Sequence, residues 1–285
     1  TIRTRASLNP AGMDLDRWED MGISPAFAEK QLRICSAYRR LRVIPSCTCT
    51  PYLSGNKPLF GETVGFSESS AIAFVNSIIG ARTNRHGGLD ALSAALVGKV
   101  PLMGYLLDKN RVGTIRVRID FEPKNEADYS AIGYFLGNSV KADEVPVIEG
   151  IEQASTDELK LLGAASAASG SVALFHVVGR TPEALSKSAR AGMRSLRSEL
   201  HVGKNEILSV YEELGAGEEP DLVFIGCPHC SVHEIATVAD LLSGRKVKKR
   251  TKLWVFTSPQ VLKNVERLGY VNKIRLAGAD VFCHT

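Results

Sequence analysis

The chain has 285 residues, of which 44% are hydrophobic and 23% are charged, and its formal net charge is +4, an ordinary composition for a globular protein. No apolar run reaches the roughly 18 residues that span a bilayer, and no signal-peptide pattern opens the chain, so we expect a cytoplasmic protein without membrane contact. The strongest basic run, residues 245–250, has no interleaved aromatic side chain, so nucleic acid is not an expected partner.

Helical spacing of apolar residues dominates the first part of the chain. Residues 25–42 carry apolar side chains at this spacing, and Ser24 is the expected N-cap of the helix. Cys35 lies on the apolar stripe, so we expect it to be a core thiol. A second helix is predicted from Glu68 to Ile79, with Ser67 as its N-cap.

Strand and helix patterns alternate through the rest of the chain. The predicted strands cover residues 112–121, 145–151, 171–179, 221–226, 252–258 and 279–283. Helices between several of them are predicted to begin at Thr156 and Ser231 and to cover residues 259–268. This alternation is typical of an α/β fold built from βαβ units with largely parallel sheets. We expect two α/β domains, residues 1–170 and 171–285.

The two ends of the chain suggest a piece of a longer protein. Thr1 stands where an initiator Met is usual, and residues 279–285 have the pattern of a strand that is cut short. We therefore expect further residues at both ends.

Five of the six cysteines stand in predicted loops or at strand ends. Cys47 and Cys49 share one loop, Cys227 and Cys230 share a second, and Cys283 ends the last strand. Ligands gather at the carboxyl ends of parallel strands, so we expect these thiols to form one site. Thiolates select zinc, copper(I) or iron–sulfur clusters, and the wide separation of the two pairs is unlike a compact zinc ribbon. From the residues alone, an iron–sulfur cluster, zinc and unligated thiols remain open.

Polar side chains are unusually dense around the second predicted helix. They are Glu62, Glu68, Ser69, Ser70, Asn76, Ser77, Arg82, Thr83, Asn84 and Arg85. Helix capping and a solvated turn account for many of them, including Ser69, Ser70 and Thr83. Arg82 and Arg85 lie in a glycine-flanked turn, which favours bidentate recognition of a carboxylate or a phosphate.

Five segments carry a specific resemblance to a known family. In chain order they are TCTPYLSGNKPLFGE, ESSAIAFVNSIIGARTNRHGG, GYLLDKNR, VGRTPEA and IGCPHCSVHE. They resemble the large subunit of the aconitase X family, and the resemblance runs from SLNPAGMDLDRW to the last residue. It implies an aconitase-like α/β fold with largely parallel sheets around a central cleft, and it implies hydro-lyase activity.

The resemblance also implies an iron–sulfur cluster, expected to be 4Fe-4S, held by three cysteines with one iron left open as a Lewis acid. Cys49 of TCTPY and Cys227 of GCPH match ligand positions. The third ligand is either Cys283 or a residue just past the end of the chain, because the family pattern there is Asp-Thr-Cys. Cys47 and Cys230 are then neighbouring or structural thiols.

The residue types themselves suggest further site residues. The expected substrate-binding residues are Asn76, Ser77, Arg82, Asn84 and Arg85. Glu68 and His229 are secondary candidates for catalysis, and their plainer roles are helix capping and loop orientation. Surface or satisfied core roles are favoured for His86, His176, His201 and His233.

A second polypeptide is implied as well: a small swivelling-domain subunit that carries a serine base and completes the active site. The family dehydrates mevalonate 5-phosphate to trans-anhydromevalonate 5-phosphate in the archaeal isoprenoid route, or dehydrates cis-3-hydroxy-L-proline. The turn with Arg82 and Arg85 resembles the first group and suits a small phosphorylated hydroxy acid. The rival hypotheses are the hydroxyproline reaction and a non-catalytic α/β protein with structural zinc.

Overall fold

A computed structural model describes residues 1–185, 196, 198–215, 217 and 219–285. The chain divides into two compact units. The first, here called the cysteine unit because it contains all six cysteines, comprises Thr1–Lys57, Ala95–Gly98 and Ala216–Thr285. The second, here called the turn unit, comprises Pro58–Ala94 and Lys99–Gly215. In the part of the chain that is described, no helix has the length and apolarity needed to cross a membrane.

Helices and strands alternate along most of the chain. The helices are α1 (Pro25–Arg40), α2 (Ser69–Phe74), α3 (Gly88–Val97), α4 (Glu126–Ser139), α5 (Thr156–Gly170), α6 (Lys204–Leu214), α7 (Val232–Leu241), α8 (Pro259–Arg267) and α9 (Tyr270–Leu276). The strands are β1 (Ile115–Ile119), β2 (Pro146–Glu149), β3 (His176–Val177), β4 (Glu199–Val202), β5 (Leu222–Cys230), β6 (Lys252–Thr257) and β7 (Asp280–Cys283).

The turn unit is built on a four-stranded sheet in the order β3-β2-β1-β4, and every pairing is parallel. Its core joins Val117 of β1 to Ile132 of α4, Leu162 of α5 and Ile207 of α6. Helices α4 and α5 approach closely at Gly137, where a Cβ would overlap Ser169 and the backbone of Gly170. Burial of apolar side chains between sheet and helices stabilises this unit.

The cysteine unit contains a three-stranded sheet in the order β5-β6-β7, also entirely parallel. Helices α7, α8 and α9 bury Ile235, Val265 and Ile274 against Val255 of β6. The pairing of β5 with β6 is irregular between Ile225 and Cys230, so the end of β5 departs from the regular ladder. The sheets confirm the predicted α/β class and the largely parallel pairing.

Local sequence signals located several elements well. Ser24 caps α1, Ser155 caps α5 and Ser231 caps α7, as short-range hydrogen bonds to the first helical turn require. The predicted cap Ser67 is wrong, because the carboxylate of Glu68 accepts from the backbone N–H of Ser70 and is the N-cap of α2.

Three other differences concern extent and burial. The second predicted helix continues to its expected end as a π-helical turn, Val75–Ile79, after the α-helical part. The strand predicted over residues 171–179 pairs only through His176 and Val177. The apolar stripe of α1 is largely exposed, and only Ala28 and Cys35 are buried. The expected domain boundary at residue 170 stays a prediction.

Candidate active site

The loop that carries Cys49 leads from the end of α1 into the body of the cysteine unit. Cys49 is 8% exposed, and its Sγ accepts a hydrogen bond from the backbone N–H of His229 at 3.1 Å. An N–H donor stabilises negative charge on sulfur, which is the charge that a metal-bound cysteine carries. The contact also joins the Cys49 loop to the loop that carries Cys227.

His229 connects three loops of the cysteine unit. Its ring is fully buried, Nδ1 lies 2.8 Å from the hydroxyl of Thr48, and Nε2 contacts the carbonyl oxygen of Thr285. A carbonyl only accepts, so Nε2 donates to Thr285, while Nδ1 shares a hydrogen bond with the Thr48 hydroxyl. The Thr48 oxygen in turn accepts from the backbone N–H of Thr50 at 3.1 Å. Both ring nitrogens are therefore used to hold the loops together.

Cys227 and Cys230 have opposite environments although both lie in the irregular last part of β5. Cys227 is exposed at the irregular end of β5, and its peptide bond to Pro228 is cis. Gly226 has φ of +118°, and a Cβ there would overlap the Phe256 carbonyl, so this approach requires glycine. Cys230 is buried in the apolar core of the unit, as expected of a structural thiol.

Cys283 belongs to a buried, hydrogen-bonded group. Its backbone N–H donates to the Asp14 carboxylate at 2.7 Å, and its Sγ lies 3.2 Å from Nδ1 of His284. Burial raises the pKa of the Cys283 thiol far above its ordinary value, and the Asp14 carboxylate raises it further. Burial would also raise the pKa of Asp14, but hydrogen bonds from His284 and from the N–H groups of Cys283, Asp16 and Arg17 bring it well below its usual value.

Cys47 and Cys35 are core thiols. They are buried with Ala11 in a small apolar cluster. Burial, with the neighbouring Cys35 thiol, raises the pKa of Cys47 to about 12. The burial of Cys35 in this cluster confirms its expected core role.

The segments that His229 joins, here called the converging loops, contain residues 46–50, 226–230 and 283–285. Two of their cysteines, Cys49 and Cys227, fit an iron–sulfur cluster. Cys49 has the N–H donor that a thiolate ligand needs, and Cys227 is exposed. Cys283 lies in a buried group in which burial and the Asp14 carboxylate raise the pKa of its thiol. In the described ranges, the one group of three or more His, Cys, Asp or Glu side chains within 4.8 Å of one another is Asp14, Cys283 and His284. The described residues therefore form no four-cysteine zinc site around a single ion.

The turn unit holds the second group of predicted residues, beginning with Asn76 in the π-helical turn. The Asn76 amide is fully buried, donates to the carbonyls of Thr83 and Ala173 and accepts from the N–H of Thr83. Ser77 is also buried, and its hydroxyl accepts from the N–H of Phe175 at 2.9 Å. π-helical turns are frequent at functional sites, yet here both polar side chains bond to the protein itself.

Residues 82–85 form the predicted arginine turn. Arg82 is partly buried and makes an ion pair with Asp108. Asn84 accepts from the N–H of Tyr105 at 2.8 Å and donates to the carbonyl of Met103 at 3.0 Å. Arg85 is exposed, and its guanidinium has no hydrogen bond or ion pair with any residue that the structure describes. Arg85 is therefore the side chain of this turn that is available to a ligand.

Arg111 was missed by the sequence reasoning although it lies in the GYLLDKNR segment. It is 3% exposed and forms a bidentate ion pair with Glu183, with Nε at 2.9 and 3.1 Å from the two carboxylate oxygens. It also donates to Asn76, so it lies beneath the predicted turn. Its partners are distant in sequence, and no local pattern could have identified them.

Three family models match the chain: the aconitase X first domain over residues 1–109, the second domain over residues 113–212 and the third domain over residues 220–285. Together with the identities below, these matches show that the chain belongs to the aconitase X family.

Named relatives fall into two groups. The phosphomevalonate dehydratase large subunit of Methanothermobacter thermautotrophicus is 46% identical over 285 residues, which cover all of this chain and 69% of that protein. The protein of the same name from Methanocaldococcus jannaschii is 44% identical, over 98% of this chain and 70% of its own length. The cis-3-hydroxy-L-proline dehydratase of Pseudomonas aeruginosa is 34% identical, over all of this chain and half of that protein.

A solved structure has the same fold. Aconitase X of Thermococcus kodakaraensis, in its holo form, superposes with a TM-score of 0.89 at 35% identity, and the match covers all of this chain and 70% of that one. The expected aconitase-like α/β fold is therefore confirmed.

Proposed function

We propose that this chain is the large subunit of a dehydratase that converts (R)-mevalonate 5-phosphate to trans-anhydromevalonate 5-phosphate. The observation that carries the proposal is the 46% identity, over the whole chain, to a protein named for that activity. The relative named for hydroxyproline dehydration is 34% identical, and the chain covers half of it. The hydroxyproline reaction is therefore the second candidate.

Cys49 and Cys227 are the residues that we assign to an iron–sulfur cluster, of the 4Fe-4S type that the family resemblance implies. Such a cluster supplies a Lewis acid that weakens the bond between carbon and the departing hydroxyl group. The chain contributes the Cys49 sulfur, which accepts the N–H of His229, and the exposed thiol of Cys227. The third ligand is either Cys283 or a residue just past Thr285.

In the turn unit we assign anion binding to Arg85, supported by Arg82. Arg85 is exposed and its charge is not neutralised by a described neighbour, so a carboxylate or phosphate would bind there with little competition. Arg82 is already paired with Asp108 and would have to share its guanidinium. Since the polar atoms of Asn76, Ser77 and Asn84 are bonded to the protein, we assign them to holding the turn, although they were expected to contact the substrate directly.

Glu68 and His229 are assigned to structural support of the site. Glu68 caps α2, and His229 links three loops through both of its ring nitrogens. The proton on the substrate carbon must then be removed by a group from elsewhere, which agrees with the small-subunit serine implied by the family resemblance. We expect the assembly to be cytoplasmic, because cluster assembly requires reduced thiols.

The test is anaerobic reconstitution of the chain with its small subunit, followed by measurement of iron, sulfide and the loss of mevalonate 5-phosphate. Cluster formation with turnover of this substrate, and no turnover of cis-3-hydroxy-L-proline, is the expected result. Turnover of the hydroxyproline alone would select the second candidate. A colourless protein that binds zinc and turns over neither substrate would refute the dehydratase proposal.

A further inference from the structure

The guanidinium of Arg111 uses every one of its N–H groups inside the turn unit. Nε and Nη2 donate to the carboxylate of Glu183, with the shortest separation 2.6 Å. Nη2 also donates to the main-chain carbonyl of Asn76 at 2.9 Å, and Nη1 donates to the side-chain oxygen of Asn76 at 3.2 Å and to the carbonyl of Tyr105 at 3.1 Å. A charge that is 3% exposed is tolerated because Glu183 neutralises it and each donor has an acceptor.

Asn76 connects Arg111 to the arginine turn, residues 82–85, through hydrogen bonds. Its side-chain oxygen accepts from the N–H of Thr83 at 3.0 Å, and its amide nitrogen donates to the carbonyl of the same residue at 2.9 Å. Both main-chain polar groups of Thr83 are therefore held by one side chain. Thr83 lies between Arg82 and Asn84, so its position sets the path of the turn that ends at Arg85.

A second connection reaches the same turn through Tyr105. The side chain of Asn84 accepts from the N–H of Tyr105, and Arg111 donates to the carbonyl of Tyr105. The turn is thus fastened on one side through Asn76 and on the other through residues 103–105, and Arg111 takes part in both connections. The main-chain carbonyl of Arg111 is itself held by Nε2 of His176 at 2.7 Å.

Only arginine can serve these partners together. The planar guanidinium presents five donors in a rigid fork, whereas lysine is a compact charge with three rotatable donors on a flexible stem. A lysine at this position could pair with Glu183. It could not also donate to the side-chain oxygen of Asn76, the main-chain carbonyl of Asn76 and the carbonyl of Tyr105.

We propose that Arg111 is a positioning residue that holds the 82–85 turn in the conformation in which Arg85, with Arg82, receives an anionic group of the substrate. The nature of that anion rests on the proposed function, but the positioning itself rests on the contacts of Arg111. Arg111 does not touch the substrate in this proposal. It acts through Asn76, Thr83 and Tyr105.

The test compares Arg111→Lys with the matched control Arg118→Lys in the enzyme reconstituted with its small subunit. Arg118 is a half-exposed residue of β1 that pairs with Glu199 at 3.4 Å and lies outside the network. We expect Arg111→Lys to raise KM for mevalonate 5-phosphate by roughly tenfold, since small displacements of binding groups are costly, with kcat changed by less than about threefold. Hydrogen exchange should accelerate in peptides covering residues 80–88 and stay unchanged in β1 and β2. The control should match the wild type in all three measurements.

A purely supporting role gives a different pattern. If exchange rises evenly through the turn unit, or if KM and exchange at residues 80–88 both stay at wild-type values, Arg111 does not position the turn. Should Arg111→Lys fail to fold, Glu183→Gln keeps the arginine but weakens its anchor, and it must show the same local rise in exchange to a smaller extent. A wild-type enzyme that leaves mevalonate 5-phosphate untouched would refute the proposed function, while the exchange measurement would still decide the role of Arg111.

Discussion

The cysteine unit and the turn unit use their polar side chains in contrasting ways. At the converging loops of the cysteine unit, His229 and Thr48 are bonded to each other while Cys49 receives one N–H donor and Cys227 is exposed. In the turn unit, the amides of Asn76 and Asn84 are bonded to the main chain, and Arg85 alone of the predicted binding residues is exposed. A residue type suited to binding is therefore weak evidence of binding until its partners are known.

The largest expected effect is on the cysteine side of this comparison. Cys49→Ser should abolish cluster binding, so that iron and sulfide fall to background after anaerobic reconstitution, because a hydroxyl is a poor ligand where a thiolate is required. Cys35→Ser is the matched control, since Cys35 is a buried core thiol that is not assigned to the cluster. Full iron content in Cys49→Ser would break the assignment of Cys49.

Asn76→Ala tests whether polar groups of the turn unit are structural. The change leaves the main-chain groups of Thr83, the carbonyl of Ala173 and one donor of Arg111 without their partner, and it should lower the free energy of unfolding by roughly 3 to 5 kcal/mol. Urea unfolding measures this loss. The control Asn110→Ala removes one exposed hydrogen bond, to the carbonyl of Gly104, and should cost under about 1 kcal/mol. An Asn76→Ala variant of normal stability that no longer binds substrate would restore Asn76 as a contact residue.

Arg85→Gln addresses the side chain that the turn leaves available. Loss of a charge-assisted contact to an anion is worth about 1.5 to 3 kcal/mol, so KM should rise roughly ten- to hundredfold. Stability to urea should be unchanged, because Arg85 is exposed and makes no ion pair with a described residue. The matched control is Arg118→Gln, which removes another exposed guanidinium from the same unit. Equal KM values for both variants would exclude Arg85 from binding.

Thr48→Val has the smallest expected effect. It tests whether the hydrogen bond between Thr48 and His229 stabilises the folded chain. The substitution removes the hydroxyl that lies 2.8 Å from Nδ1 of His229 and keeps the shape of the side chain. Removing this hydroxyl from the buried ring nitrogen and from the backbone N–H of Thr50 should cost about 1 to 2 kcal/mol, measured by thermal unfolding of the apo chain. Thr237→Val is the control, because the Thr237 hydroxyl bonds only to the preceding turn of its own helix. Equal losses in the two variants would contradict the connecting role.

Signals that act over a few residues can be recognised in the amino-acid sequence itself. Ser24, Ser155, Ser231 and Ser258 begin helices because each hydroxyl accepts from an N–H two or three residues later. Apolar patterns located every described strand except β4, Glu199–Val202, and their separation by helices predicted parallel sheets. Cys49 and Cys227 were found because the family resemblance marked them. Ser67 failed as a cap because its neighbour Glu68 offers a carboxylate to the same helix start.

Long-range contacts were beyond such signals, because they depend on where distant segments meet after folding. The sequence predicted both Asn76 and Arg85 as binding residues. The partners of Asn76, however, lie as far away in the chain as Ala173, and hydrogen bonds to the protein use its amide. Arg111 gave no local sign of its role, since its partners are Asn76 and Glu183. The sequence therefore identified candidate binding residues by their type and position. The tertiary structure determined which of those residues have polar atoms that are not already bonded to the protein.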